Sequence, residues 1–189
     1  LATINQYHQV PAALKDIPAG NEYSYLETPV TKVLVAPYDA KQIYMAQISN
    51  LDKKYDPAIE PIRALYDEYF GGGMNSIVFQ EMRETRGLAY SAWASIMPPS
   101  YLKYPYVLRT QIATQNDKMI DAVTTFNDII NNMPESEAAF KLAKDGLTNR
   151  LRTERIIKGD IIWSYINAQD LGQNVDPRIK LCNDIQNMS

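Results

Sequence analysis

Three consecutive glycines, Gly71, Gly72 and Gly73, interrupt a segment that otherwise has the pattern of two helices. The stretch from residue 71 to residue 92 reads GGGMNSIVFQEMRETRGLAYSA. Glycine has no Cβ atom, so it suits positions where φ is positive or where another backbone segment approaches closely. A simple turn does not need three of them. The glycines therefore predict a tight junction between two helices, where either a positive φ or the close approach of another chain segment excludes side chains.

Helix signals flank this junction on both sides. Asp56 followed by proline is typical of a helix N-cap, and apolar residues then recur at helical spacing over 57–70. On the other side, Asn75 or Ser76 can cap a second helix, which Gly87 ends. The pattern thus predicts two helices joined by the glycines, the second of which leads into a strand.

The remaining patterns complete one α+β domain. Strands are predicted at 32–37, 41–49, 88–97 and 104–114, and further helices at 117–133, 136–157, 160–171 and from Asp176 onward. Strands that are adjacent in sequence, with helices between and after them, favour a mainly antiparallel sheet with helices packed on one face. Residues 1–30 carry three prolines and lack periodicity. We therefore expect a connector or lead-in arm over 1–30 and the domain itself over 31–189.

The composition excludes several classes of function. The 189 residues suffice for one well-cored domain, and a net charge of −3 argues against a nucleic-acid surface, which needs clustered Lys and Arg. No stretch approaches the roughly 20 apolar residues that span a bilayer, so we expect no membrane insertion. The one histidine, His8, and the one cysteine, Cys182, are far apart, and neither HEXXH nor HXXEH occurs. Because a zinc site needs several ligands on a rigid element, we expect neither metal ligands nor catalytic residues in this chain.

Arg83 and Tyr90 are the candidate functional pair. Arg83 lies in the last predicted helical turn before Gly87, and Tyr90 follows it into the strand. If the strand folds back beside the helix, both side chains converge on one side of the junction. A guanidinium and a phenol then offer donors to a peptide carbonyl, or to the oxyanion that forms when it is attacked. The alternative is purely structural, since arginine favours a helix C-terminus and tyrosine is common in strands.

Two other functions fit this stretch less well. Phosphate binding by the glycines would require GK[ST] after the loop or a strand before it, and neither is present. Glu81 and Glu84 share a helical face, as paired catalytic carboxylates would. Arginines at positions 63, 83 and 86 are available to pair with them. We therefore expect a solvated, ion-paired face there.

The stretch from 71 to 92 resembles the signature region of the second, non-catalytic domain of the M16 (pitrilysin-like, inverzincin) metallopeptidases. In that family a glycine-rich loop, a helix of the form [FL]-Q-E-[IM]-R-E-x-R-G-L-A-Y and a following strand recur. DAKQIYMAQIS (39–49) resembles the early strand of the same domain, and the resemblance covers about residues 31–187. It implies the LuxS/M16 metallohydrolase-like fold. The strand that the family has after the last helix is absent, so we expect a chain truncated at its C-terminus.

The resemblance also implies a function. The family's working unit is a clamshell of two homologous halves, one of which carries HXXEH, holds zinc and activates water. The other half closes the chamber and presents an arginine and a tyrosine, spaced R-x6-Y, to the substrate, and Arg83 and Tyr90 have that spacing. By the same resemblance, Gly71, Gly72 and Gly73 lie near the chamber wall where peptide passes. The chain would then be the non-catalytic, peptide-binding half, with zinc in a partner domain of the same polypeptide or of a separate subunit.

The alternative belongs to a different class of protein. A scaffold or interaction protein derived from a protease would keep the fold and bind partners without any role in proteolysis. An HXXEH sequence in the same polypeptide or operon would favour the peptidase. Its absence would favour the scaffold.

Overall fold

A computed structural model shows the fold and describes residues 2–8, 13, 15–16, 18–21, 23 and 26–188. In this part of the chain, β1 (Gln42–Lys54), β2 (Ser91–Met97) and β3 (Pro105–Gln115) form an antiparallel sheet in the order β1–β3–β2. The α-helices are α1 (Ala2–Tyr7), α2 (Glu60–Tyr66), α3 (Ile77–Phe79), α4 (Met119–Asn131), α5 (Glu137–Thr153), α6 (Gly159–Asp170) and α7 (Pro177–Asn187). Two π-helical segments, Asp67–Gly71 and Gln80–Thr85, continue α2 and α3, and a 3-10 turn at Asn116–Lys118 precedes α4. The predicted α+β class with an antiparallel sheet is confirmed.

The two faces of the sheet differ in exposure. Side chains alternate between the faces along each strand, and Ile112 of β3 lies opposite Ala92 of β2. Ala92, Ala94 and Ile112 are buried on the face that carries the helices. Tyr44 and Ile48 project from the other face of β1 and are exposed. Helices thus cover one face of the sheet, as the sequence predicts.

One hydrophobic core joins the sheet to the helices. The first π-helical segment and α3 pack on β2, α4 packs on β3, and α5 contacts both the π-helical segment and α7. These elements and the second π-helical segment all contribute fully buried core side chains: Phe70, Val78, Met82, Ala94, Ile112, Phe126, Leu147 and Ile185. Because these elements share one core, the described part of the chain from β1 to α7 forms a single domain.

Three predicted helix starts are confirmed by side-chain hydrogen bonds. The side chains of Ser76, Ser136 and Asp176 accept a backbone N–H from the first turn of α3, α5 and α7, at 3.4, 3.2 and 3.0 Å. Such bonds satisfy N–H groups that the start of a helix leaves unpaired, which is why these residue types mark helix starts in the sequence. Gly87 also follows the second predicted helix, with a positive φ of 58°.

The predicted strand at 32–37 is wrong. Residues 31–40 have no regular secondary structure, and Val33, Leu34 and Val35 are exposed. A strand is stable only when its N–H and C=O groups pair with a neighbour, and in the described part of the chain no strand pairs with this segment. β-branched residues therefore indicate a strand propensity that is not realised here.

Other boundaries also differ from prediction. The helix expected over 57–70 begins only at Glu60, because Asp56 caps a turn instead: its Oδ1 accepts the N–H of Ala58 at 2.9 Å. α5 ends at Thr153, before the predicted end near 157. The expected irregular arm contains α1, and its positions 1, 9–12, 14, 17, 22, 24 and 25 lie outside the described residues.

Candidate functional site

Of the two predicted reasons for the glycines, close approach is the one that the structure shows, and the approaching segment is the chain's own backbone. A Cβ on Gly71, which is buried, would lie 2.0 Å from the carbonyl oxygen and 2.5 Å from the nitrogen of Ala94 in β2. A Cβ on Gly72 would lie 2.7 Å from the carbonyl oxygen of Asp67. Gly73 has more room, since its nearest contact would be a Glu68 carboxylate oxygen at 3.9 Å. The first two glycines are therefore required by packing, while Gly72 and Gly73 are also exposed.

Side chains of α2 and of the π-helical segment after it close the outer edge of β2. Asp67 accepts the backbone N–H of Ile96 at 2.8 Å and the hydroxyl of Ser95 at 2.9 Å. Arg63 donates to the carbonyl of Ile96 at 3.2 Å and forms an ion pair with Asp67 at 2.8 Å. Burial raises the pKa of Asp67, while these donors and the charge of Arg63 oppose the rise. At Ile96, then, the edge is closed to pairing with another strand.

We expect Asp67→Ala to lower the free energy of unfolding by about 1–3 kcal/mol, because it removes the acceptor for the Ile96 N–H and for Arg63. Asp67→Asn retains one acceptor oxygen and should cost less. Urea denaturation followed by circular dichroism measures both variants. Equal losses for the alanine and asparagine variants would contradict a role for Asp67 as an acceptor at this edge.

The turn after α3 brings Arg83 and Tyr90 together. The N–H of Gly87 donates to the carbonyl of Arg83 at 3.1 Å, and those of Leu88 and Ala89 donate to the carbonyl of Met82 at 2.8 and 3.1 Å. The chain thereby reverses, and just before β2 the N–H of Tyr90 donates to the carbonyl of Ala113 at 2.9 Å. As a result, the guanidinium carbon of Arg83 lies 5.4 Å from the centre of the Tyr90 ring. The predicted convergence of the two side chains is confirmed.

Both side chains of the pair are accessible to a ligand. The side chain of Arg83 is 45% exposed, and Tyr90 is 69% exposed. Arg83 also lies over the ring of Phe79, 5.0 Å from its centre, so two aromatic rings orient the guanidinium. Its Nε is 3.6 Å from a carboxylate oxygen of Glu84, which is longer than a hydrogen bond. The site can therefore present guanidinium and phenol donors to a carbonyl group, and the functional role of the pair stays a prediction.

Glu81 is ion-paired, as expected of a solvated face. One of its carboxylate oxygens lies 3.3 Å from the Nε of Arg86. Arg63, the other arginine considered as a partner, pairs instead with Glu60 and Asp67. The two glutamates of this helix thus sit beside arginines rather than facing a shared metal or proton site.

Sequence periodicity does not reveal two features of this site. The π-helical segment Asp67–Gly71 buries three successive residues at 69–71, which a regular helix facing solvent does not do. Such π-helical turns occur frequently at functional sites. The second feature is a shallow cleft between the glycine loop and α5, lined in part by Glu68, Gly73 and Gly146. Glu68 is held there by Arg150 at 2.8 Å. No pattern in the sequence indicates that these residues meet.

The metal-ligating side chains of the described residues are not arranged to bind zinc. In the stretches of chain that the structure covers, no group of three or more His, Cys, Asp or Glu side chains is placed to hold a metal ion. Accordingly, no zinc-dependent step is assigned to this chain's own residues. Among the described helices, none combines the length and apolarity that crossing a bilayer requires.

Comparison with known sequences identifies one family. The profile of the peptidase M16 inactive domain matches residues 14–147, more than half of the chain. No curated protein matches the sequence.

Solved structures share the fold at low sequence identity. The peptidase M16 inactive domain from Pseudomonas fluorescens has a TM-score of 0.63 at 16% identity, covering 80% of this chain and 36% of that chain. An inactive peptidase domain from Bordetella parapertussis has a TM-score of 0.56 at 12% identity, and the match covers 83% of this chain and 84% of that chain. The periplasmic protease PqqL from Escherichia coli has a TM-score of 0.59 at 13% identity, and the match covers 100% of this chain and 21% of that chain. The chain thus spans well under two thirds of the Pseudomonas and Escherichia chains. From the family match and the shared fold together, the chain belongs to the inactive domains of the M16 zinc peptidase family.

Proposed function

We propose that this chain is the peptide-binding, non-catalytic half of a zinc peptidase, and that it closes a proteolytic chamber opposite a domain bearing HXXEH. The observation that carries the proposal is the exposed contact between the Arg83 guanidinium and the Tyr90 ring, 5.4 Å from guanidinium carbon to ring centre. Zinc and the water that it activates belong to the partner domain. The role of this chain is to hold the peptide and to supply donors to the carbonyl under attack.

The proposed path of the peptide runs over the outer surface between the glycine loop and the Arg83–Tyr90 pair. Gly71 packs beside Ala94, and Arg83 lies beside Tyr90, so the intervening helix runs along four residues of the strand region. An extended peptide covers that distance, roughly 13 Å, with about four residues. In this arrangement Gly72 and Gly73 leave space for the peptide backbone at one end, and Gly71 keeps the junction tight beneath them. Arg83 and Tyr90 contact the peptide at the other end.

The chemistry of the pair suits a carbonyl that becomes negatively charged. The guanidinium offers a rigid fork of N–H donors, and its ring contacts limit its rotation. The phenol of Tyr90 adds an O–H donor nearby. Donors fixed before the reaction stabilise an oxyanion more than a neutral carbonyl, which lowers the barrier rather than merely tightening binding.

Reconstitution with the HXXEH half tests the proposed function. We expect the isolated chain to cleave no peptide, and the HXXEH half to gain turnover of a quenched fluorescent peptide when this chain is added. Isothermal titration of an unfolded peptide into an inactive assembly would measure binding separately. Turnover by the HXXEH half that is unchanged by this chain, despite complex formation, would refute the proposal and favour the scaffold function.

A further inference from the structure

The turn that follows α3 receives hydrogen bonds from the end of β3. Thr114, which is buried near the end of β3, donates its hydroxyl to the carbonyl of Leu88 at 2.5 Å. Lys118, the last residue of the 3-10 turn after β3, donates from its Nζ to the carbonyl of Gly87 at 3.0 Å. Two successive carbonyls of the turn are therefore bound by side chains of one neighbouring segment.

Hydrogen bonds, rather than packing, fix the backbone at Gly87. This glycine has a positive φ of 58°, and a Cβ added to it would meet no atom within 4 Å. The peptide unit that follows it donates its N–H to the carbonyl of Met82 at 2.8 Å, and its carbonyl accepts the Nζ of Lys118. Glycine has the widest choice of backbone conformations. Loss of the Lys118 donor would therefore separate this peptide unit from the segment after β3 and leave the glycine free to rotate.

The backbone at Gly87 determines how Arg83 and Tyr90 meet. Gly87 stands between the two residues, four positions after the first and three before the second. A rotation at the glycine would shift the helix end relative to the start of the strand, and it would change the 5.4 Å approach of the guanidinium carbon to the ring centre. Misplacing a catalytic group by about 1 Å can lower a rate by roughly a hundredfold.

We propose that Lys118 is a positioning residue, which holds the turn at Gly87 and thereby the contact between the Arg83 guanidinium and the Tyr90 ring. The consequence for peptide hydrolysis rests on the function proposed above, whereas the effect on the contact does not. The alternative role is a purely stabilising one, since a lysine beside the last carbonyls of a helix also favours the helix dipole. A stabilising role alone would leave the position of Arg83 unchanged when Lys118 is replaced.

Nuclear magnetic resonance of the 189-residue chain tests the positioning role directly. The Nε–H signal of Arg83 senses the ring currents of Phe79 and Tyr90, whose centres lie 5.0 and 5.4 Å from the guanidinium carbon. Lys118→Met keeps an unbranched side chain but removes the ammonium. We expect it to displace the Arg83 signal in the direction that Tyr90→Leu displaces it. Lys118→Arg again offers N–H donors to the Gly87 carbonyl, so it should return the signal most of the way to its wild-type position.

Kinetics of the enzyme reconstituted with the HXXEH half test the consequence for the reaction. We expect Lys118→Met to lower kcat by about ten- to a hundredfold and to change KM by no more than about twofold, because misplaced donors act mainly on the transition state. Lys118→Arg should recover most of the loss. Lys180→Met is the matched control, since Lys180 is an exposed lysine of α7 that pairs with Asp184. It should change neither the Arg83 signal nor kcat.

The outcomes separate this proposal from the proposed function. Lys118 is half-buried and lies in a turn, so its variants should fold, which circular dichroism verifies. An Arg83 signal that stays at its wild-type position in folded Lys118→Met would overturn the positioning role, as would an equal displacement in Lys180→Met. A displaced signal with a wild-type kcat would support the positioning role and would instead refute the part of the Arg83–Tyr90 pair in hydrolysis.

Discussion

We expect Gly71→Ala to lower the free energy of unfolding by more than about 3 kcal/mol, or to abolish folding, because the new methyl group has no space. Its carbon would lie 2.0 Å from the carbonyl oxygen and 2.5 Å from the nitrogen of Ala94. These are backbone atoms of β2, which is paired with β3, so they cannot rotate away as a side chain would. Relief requires the π-helical segment Asp67–Gly71 to separate from the strand. Urea denaturation, with expression yield and circular dichroism as supporting measurements, quantifies the loss.

Gly73→Ala is the matched control for this variant. Gly73 belongs to the same loop, but the nearest atom to its added Cβ would be a carboxylate oxygen of Glu68 at 3.9 Å. Its φ is not positive, so alanine fits the backbone, and we expect a change within about 0.5 kcal/mol. A Gly71→Ala variant as stable as Gly73→Ala would show that the junction is not packed as described. Such a result would also remove the packing reason for the first glycine.

Local signals in the sequence predict much of the fold. Ser76, Ser136 and Asp176 cap the helices that they precede, because a short polar side chain beside an unpaired N–H is a local arrangement. The convergence of Arg83 and Tyr90 is also predictable from the sequence, because it too is a local arrangement. Gly87 tolerates the positive φ that reverses the chain between them, and only six residues separate the pair.

The features that depend on distant partners are not predictable in this way. The residues at 32–37 have strand propensity, yet they form no strand, since pairing depends on a neighbour that no local pattern specifies. The helical spacing of Ile162 and Ile166 predicts α6 but not that these side chains are exposed. Likewise, the approach of Ala94 to Gly71 joins residues far apart in sequence. The glycines indicate a close contact, but they do not identify the segment that makes it.

In the assembled enzyme, we expect Arg83→Ala to reduce kcat/KM for peptide hydrolysis by roughly ten- to a thousandfold, the range for losing one donor to a developing oxyanion. Tyr90→Phe removes the hydroxyl but keeps the ring that lies beside the Arg83 guanidinium, and it should also reduce kcat/KM. Arg83→Lys should rescue the alanine variant only in part, because an ammonium cannot reproduce the planar fork of a guanidinium. Steady-state kinetics of the reconstituted enzyme with a fluorescent peptide measures all three variants.

Arg86→Ala is the matched control, since Arg86 follows the same helix and pairs with Glu81 at 3.3 Å. We expect kcat/KM to stay near the wild-type value for this variant. The Arg83 side chain is 45% exposed and Tyr90 is 69% exposed, so their substitution should change the unfolding free energy by no more than about 1 kcal/mol, which separates a catalytic loss from a folding defect. If the two residues act on one carbonyl, the double variant Arg83→Ala, Tyr90→Phe should lose less than the product of the single losses. Wild-type rates in both single variants would exclude the pair from the reaction, even if this chain still closed the chamber.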